Sequence, residues 1–255
     1  MDTIIITGAG SGIGAATARK LAEAKDVRII CIGRRAEPLV ALVEELGEGH
    51  VAWPMDVASR LAWEELLHSE EVNLKAHPLK GVFANAGIGG PNAYGEGDRW
   101  DEIIRVNLTG VYVTVEACKP WLSANTSCPI RHVVVTSSVL ARFGVPTQPA
   151  YVASKTGVLG LVRSWAVAWS NEGIRVNAIC PGWVETEMAK QSIQALADSE
   201  GNTYEEEHAI QAGLLPTGHM SQPEEVAELV AWLMSNAQRS ITGQAIDINN
   251  GSFMH

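Results

Sequence analysis

Residues 3–14 read TIIITGAGSGIG. A short, continuous β-branched run (3–7) leads through a glycine-rich turn into a helix pattern starting near Ile13. A strand, a glycine turn and a helix in this order form the opening unit of an open α/β sheet. Glycines let backbone amides come close to a phosphate, and the helix N-terminus adds partial positive charge. The usual spacing is G-x-G-x-x-G. Gly8 and Gly10 fit it, but the third place falls on Ile13. Taken alone, the stretch is either a nucleotide loop of a different build or a tight turn with no ligand.

The rest of the chain repeats the alternation. Strand signals lie at 27–33, 50–57, 79–87, 131–138, 174–182 and 244–251. Helix signals lie at 13–24, 37–46, 60–68, 100–122, 150–170 and 223–236. Continuous apolar strands alternating with helices predict a parallel sheet covered on both faces. No composition break or repeat divides the 255 residues. The expected architecture is one α/β Rossmann-type domain over 1–255, doubly wound, with about seven parallel strands. A long polar stretch at 187–215, acidic at YEEEH (204–208), is expected to be a substrate lid or a variable surface insertion.

Composition excludes several functions. The net charge is −10 and no basic run exceeds Arg34-Arg35, so nucleic acid is not an expected partner. Cys31, Cys118, Cys128 and Cys180 form no C-x-x-C pair, and the seven histidines show no ligand spacing. Neither a metal site nor a disulfide framework is expected. A strand beginning by Thr3 leaves no room for a signal peptide, and no apolar run is long enough for a membrane span. These features predict a cytoplasmic protein without a membrane partner.

The segment TGAGSGIG (7–14) resembles the T-G-x-x-x-G-x-G motif of the short-chain dehydrogenase/reductase family. In that register Gly8, Gly12 and Gly14 are the operative glycines and Gly10 is a permissive extra. Gly10, Ser11 and Ile13 complete the loop that would hold a dinucleotide. The strand at 27–33 ends CIGRR, with Gly33 where an NAD-preferring site puts an acid about 20 residues on. Arg34 and Arg35 follow, and a guanidinium attracts a 2′-phosphate that a carboxylate would repel. NADP(H) is therefore favoured over NAD(H).

The resemblance extends along the chain. It implies that Asp56 bonds the adenine, with Val57 beside it. Asn85-Ala86-Gly87 matches the family's N-N-A-G turn, with Ala84 in place of the first Asn. Pro181-Gly182 in CPGWVETEM would lie near the nicotinamide, with Val184 in the same loop. Thr186 would bond the carboxamide and phosphates. That segment is also similar to ketoreductases acting on polyketide or acyl-thioester substrates.

YVASK places Tyr151 and Lys155 at i, i+4, one turn apart on a helix face. A phenol titrates near pH 10, too high for ready proton exchange at neutral pH, and a nearby ammonium favours the phenolate. In the family a Ser precedes this Tyr at the spacing of Ser138. It bonds the substrate carbonyl, while Lys155 also holds the nicotinamide ribose. Asn107, in RVNLTG, matches the family's fourth catalytic residue, which holds a relay water; a mid-helix Asn also has the plainer role of satisfying a backbone carbonyl. By position, Val139, Ala141, Gln148 and Trp183 are expected to line the substrate pocket with Ser138 and Tyr151.

The implied reaction is reversible hydride transfer between NADP(H) and a small-molecule ketone or secondary alcohol, with Tyr151 as acid/base. A non-catalytic dinucleotide sensor would have no need of Ser138, Tyr151, Lys155 and Asn107 together. A methyltransferase binding S-adenosylmethionine would carry an acid at Gly33. The helices at 100–122 and 150–170 are apolar nearly all round, which fits a thick core or a subunit interface. The family commonly pairs them into a dimer and two dimers into a homotetramer. The tail DINNGSFMH (247–255) would join a second interface.

Overall fold

The computed structural model describes residues 1–125 and 128–254; His255, the last residue of the expected interface tail, lies outside them. Among the described residues, seven parallel strands form one sheet in the order β3-β2-β1-β4-β5-β6-β7. They are β1 (Asp2–Thr7), β2 (Val27–Gly33), β3 (Val51–Pro54), β4 (Leu79–Ala84), β5 (Arg131–Thr136), β6 (Ile174–Pro181) and β7 (Ala245–Ile248). The sheet grows in one direction from β1 to β3 and in the other from β4 to β7. The crevice outside the carboxyl ends of β1 and β4 is the topological switch point, where such sheets bind ligands.

Period-two alternation decides the layers. Ile5, Val82, Val133 and Val135 face one core, with Leu66, Val115, Leu159, Val162 and Trp165. That core is covered by α3 (Arg60–His68), α5 (Gly110–Ala124) and α6 (Pro149–Trp169). Ile4, Ile6, Phe83, Val134 and Ile179 face the other, with Leu21, Leu39, Val230 and Leu233. That side is covered by α1 (Gly12–Ala22), α2 (Ala36–Leu46) and α9 (Pro223–Leu233). Each such Ile or Leu contributes about 1.5–3 kcal/mol on burial. On α6, Val158, Leu159, Val162, Trp165 and Trp169 are buried, whereas Val167 is 87% exposed.

Two regions differ from the sequence expectation. The helix expected at 100–122 is broken into α4 (Trp100–Ile104), a π-helical turn (Arg105–Thr109) and α5. Apolar periodicity cannot separate one π turn from the α-helix around it, since the turn adds only a single residue. The polar stretch after β6 is also not a loop. It forms α7 (Glu187–Glu200) and α8 (Tyr204–Gly213). Thr186 caps α7 by accepting from the Ala189 amide, and Thr203 with Glu206 forms a capping box on α8. These helices bury few apolar residues, Ala189, Ile193 and Ala197 on α7 and Ala212 on α8, so their hydrophobic period is faint; Ile193 and Ala212 join Leu215 and Met220, with Trp183 and Tyr204 against them. Both end strands and the last helix are also shorter than the sequence pattern suggested.

Candidate active site

The glycine loop closes on itself and on the neighbouring strand ends. A Cβ on Gly14 would lie 2.2 Å from the Gly8 carbonyl oxygen, so no side chain fits where α1 begins. Gly12 has φ +51° and faces the Thr186 methyl, where a Cβ would stand at 3.0 Å. Ser11 is the extended N-cap of α1 and makes no side-chain cap bond, which leaves first-turn amides to a ligand. Gly10, by contrast, has ordinary backbone and meets only Pro38 and Leu39. A backbone cradle that side chains would fill, at a helix N-terminus, fits a dinucleotide pyrophosphate. Thr186 is brought to this cradle from the far end of β6.

The ends of the central strands are tied together. Thr7 Oγ1 accepts from the Asn85 and Ala86 amides at 3.0 and 3.1 Å. Asn85 Nδ2 donates to the Thr7 carbonyl at 3.2 Å, and the Thr136 hydroxyl donates to Asn85 Oδ1 at 3.0 Å. Asn85 thus locks β1, β4 and β5. Gly87 follows as a floor: a Cβ there would sit 3.3 Å from Asn107 Oδ1 and 3.4 Å from Lys155 Nζ.

Four expected catalytic residues converge from three elements. Ser138, buried, lies two residues past the end of β5 and caps the 3-10 turn Val139–Ala141, its Oγ accepting from the Leu140 amide at 3.1 Å. Tyr151 and Lys155 stand on α6, with Nζ 5.7 Å from the phenol ring centroid. Lys155 is buried and donates to the Thr136 carbonyl at 2.8 Å. Asn107 sits in the π turn, wholly buried. Its Oδ1 accepts from the Ile88 amide at 2.8 Å, and its Nδ2 donates to the Ile88 carbonyl at 2.9 Å and to Ser154 at 3.3 Å. The Asn107 side chain therefore fixes the segment after Gly87.

Burial pushes the Tyr151 phenol above its ordinary range, and the hydrogen bond with Ser138 works the other way. The expected lowering by Lys155 does not enter this balance, which burial dominates. Lys155 itself is pushed down to about 8 by burial, with Cys180 acting weakly in the opposite sense.

The region around Asp56, where the adenine is expected, is electrostatically bound up. Burial disfavours the Asp56 carboxylate, but the Ala58 amide, Arg105 and Arg34 together hold it below its ordinary range. Arg105 Nη1 donates to Asp56 Oδ2 at 2.5 Å. Arg34 and Arg35 stand exposed after β2. Val57 packs on Gly110 of α5, where a Cβ would lie 2.8 Å from its methyl. A cleft of about 540 Å³ lined by Trp53, Met55, Asp56, Ser59 and Glu65 opens beside this region, between β3 and α3, not beside Tyr151.

The remaining expected residues fall on two rims. Pro181 closes β6, the Gly182 amide donates to the Ile248 carbonyl at 3.0 Å, and Val184 bridges to Ser221. Trp183 packs with the α7–α8 cluster. Val139 opens the 3-10 turn with Ala141 at its end, and Gln148 is the N-cap of α6. Sequence reasoning missed Arg105, two places before Asn107, and Ser137, whose hydroxyl donates to the Lys155 carbonyl at 2.8 Å. Ser137 is adjacent to Ser138, and packing gives the two different roles. Among the described residues, no cluster of three or more His, Cys, Asp or Glu could hold a metal, and no helix is long and apolar enough to cross a membrane. The four cysteines are free and buried.

Comparison with known proteins accords with this geometry. The family model described as Enoyl-(Acyl carrier protein) reductase matches residues 8–252. The chain is 32% identical to the human (3R)-3-hydroxyacyl-CoA dehydrogenase, over 98% of this chain and 95% of that protein. It is also 32% identical to the 3-oxoacyl-[acyl-carrier-protein] reductase FabG of Thermotoga maritima, over 97% and 96%. The solved structure of a single-residue variant of actinorhodin polyketide ketoreductase with NADPH superposes with a TM-score of 0.90 at 31% identity, covering 98% of this chain and 97% of that one. Levodione reductase superposes with a TM-score of 0.87 at 28% identity, covering 98% and 96%. The chain belongs to the short-chain dehydrogenase/reductase family and is an oxidoreductase of carbonyl and alcohol groups.

Proposed function

We propose that the protein is an NADP(H)-dependent reductase that converts a small-molecule ketone to a secondary alcohol, reversibly, with Tyr151 as general acid/base. The observation that carries this reading is that Asn107 and Lys155 meet at Gly87, with Tyr151 one turn before Lys155 on α6 and in hydrogen-bond contact with Ser138. Gly8, Gly12, Gly14 and the N-terminus of α1 would hold the pyrophosphate, Arg34 the 2′-phosphate, and Lys155 and Thr186 the nicotinamide end. When bound, the nicotinamide supplies the hydride.

The chain's own groups do the rest. Tyr151 gives its phenolic proton to the substrate oxygen. Ser138 donates a hydrogen bond to that oxygen; its Oγ accepts from the Leu140 amide, and the hydroxyl that bonds Tyr151 in the free protein would be shared with the substrate. Burial keeps Tyr151 protonated, the form a reduction needs. Lys155 uses one of its three donors on the Thr136 carbonyl, which leaves two for the ribose and for returning a proton to Tyr151. Asn107 holds Ile88, and through it the wall beside Gly87.

In this reading α7 and α8 form a lid over the substrate, with Trp183 as its hinge-side anchor. The α5 and α6 faces pair with a second copy, and the enzyme works in the cytoplasm as a dimer or tetramer. The relatives' names make β-keto thioesters and cyclic ketones the first substrates to try. The test is a steady-state screen of NADPH against NADH with cyclic ketones, β-keto thioesters and diketones. Tyr151→Phe should lower kcat by about 10² to 10⁴ on any ketone accepted. Wild-type turnover by that variant would overturn the assignment.

A further inference from the structure

Helix α6 begins without a cap of its own. Gln148 holds the N-cap position at φ −124° and ψ 41°, and its side chain caps nothing. Pro149 follows and has no N–H. The first amide that needs a partner is that of Ala150, directly before Tyr151. It donates to Asn92 Oδ1 at 2.9 Å, a side chain from the loop between β4 and α4. The Asn92 amide in turn donates to the Thr147 carbonyl at 2.9 Å. Thr147 stands at φ 67°, a left-handed conformation rare for a β-branched residue, and this aims its carbonyl at Asn92.

The other end of Asn92 reaches the second catalytic helix. Its Nδ2 donates to Asp98 Oδ1 at 3.1 Å, and the same oxygen accepts from the Trp100 amide at 3.0 Å. Trp100 starts α4, which runs directly into the π turn bearing Asn107. One side chain therefore joins the start of the helix carrying Tyr151 and Lys155 to the start of the helix leading to Asn107. The chemistry dictates the residue type. An N–H at Ala150 requires an acceptor, and the Asp98 carboxylate requires a donor. A carboxamide presents both on one short stem.

We propose that Asn92 is a positioning residue for the reaction: it sets the placement of Tyr151 against Ser138 and Asn107 by tying the two helix starts together. The inference rests on the reading of those residues as the catalytic set. The pyrophosphate cradle at Gly8–Gly14 and Arg34 lie on other elements, so the bulk of dinucleotide affinity does not depend on Asn92. Misplacement of a reacting group by about 1 Å costs on the order of a hundredfold in rate.

The test compares wild type, Asn92→Ala, Asn92→Asp, the reversed pair Asn92→Asp/Asp98→Asn, and Tyr151→Phe. Each is assayed with NADPH and the ketone turned over fastest in the screen. NADPH Kd is read by fluorescence and exchange of the Ala150 amide by NMR. Asn92→Ala should lower kcat by more than about tenfold, leave NADPH Kd within about twofold, and speed exchange at Ala150. Asn92→Asp keeps the acceptor for Ala150 but sets two carboxylates against each other, so it should also be slow. The reversed pair restores a donor opposite the carboxylate and should recover most of the lost kcat.

A smaller fall in Asn92→Ala would overturn the inference. So would a loss of NADPH affinity in step with kcat, which marks a general disruption. A reversed pair no faster than Asn92→Asp would overturn it as well. Full activity in Tyr151→Phe would sink the catalytic reading instead, whichever way the Asn92 variants behave.

Discussion

Acidification should destabilise this protein through one imidazole in the middle of its sheet. His132 lies on β5 between Gly81 of β4 and Arg175 of β6, 1% exposed. Neither ring nitrogen has a hydrogen-bond partner. Burial, then the nearby charges of Lys80 and Arg175, push its pKa down to about 4. An unfolded chain would bind that proton near pH 6.5. The folded pKa is below the unfolded one, so the unfolded state takes up the proton first as pH falls. Stability from this site is therefore complete above about pH 6.5 and is lost progressively down to about pH 4. That difference between the folded and unfolded chain makes the loss about 3 kcal/mol.

The assay is urea unfolding at fixed protein concentration, from pH 7.5 to 4.5, for wild type and His132→Leu. Leucine keeps the approximate volume and removes two unpaired nitrogens, so His132→Leu should match or exceed wild type at pH 7.5. Its stability should then fall less steeply on acidification, by about 1 kcal/mol per pH unit below pH 6. His50, also pushed down by burial and by Arg28, contributes equally to both proteins and cancels. Parallel curves for the two proteins over the whole range would refute the reasoning.

Within the glycine loop, Gly14→Ala should abolish NADPH binding, because its Cβ would need the Gly8 carbonyl to move; Gly10→Ala should bind within about twofold of wild type, and equal losses in a fluorescence titration would contradict the cradle. Arg34→Ala should raise the KM for NADPH about tenfold or more and leave that for NADH unchanged, by the worth of a charge-assisted hydrogen bond. Arg142, at the end of the turn after Ser138, makes a two-pronged pair with Asp247 of β7 at 3.2 and 3.1 Å, largely shielded from water. Asp247→Ala should lower stability by about 2–3 kcal/mol, somewhat below the cost for a fully buried pair, and Arg142→Leu/Asp247→Leu should recover most of it in thermal unfolding.

Much of this site was legible before folding because it is written locally. TGAGSGIG carries its own strand, turn and helix start, and the alternation of Ile4, Ile5 and Ile6 already assigns them to opposite faces. Tyr151 and Lys155 share a helix face at a spacing that any helix imposes. The parallel order of the sheet likewise follows from strands apolar on both sides. Short-range periodicity reports these features because each depends on residues within a turn or a pleat of one another.

Tertiary structure alone decided the rest. The π turn at Asn107 is one residue inserted into an otherwise helical period, and α7 and α8 bury too few apolar side chains to show a clear stripe. Arg105 finds Asp56, Arg142 finds Asp247, and Asn92 finds Ala150 across long stretches of chain. Each of these polar pairs is set by where two backbones happen to approach, which no local pattern encodes. The sequence alone determined the sheet and the chemical types gathered at its switch point. Folding decided their partners, and through those partners which nitrogen or oxygen remains free to act on a substrate.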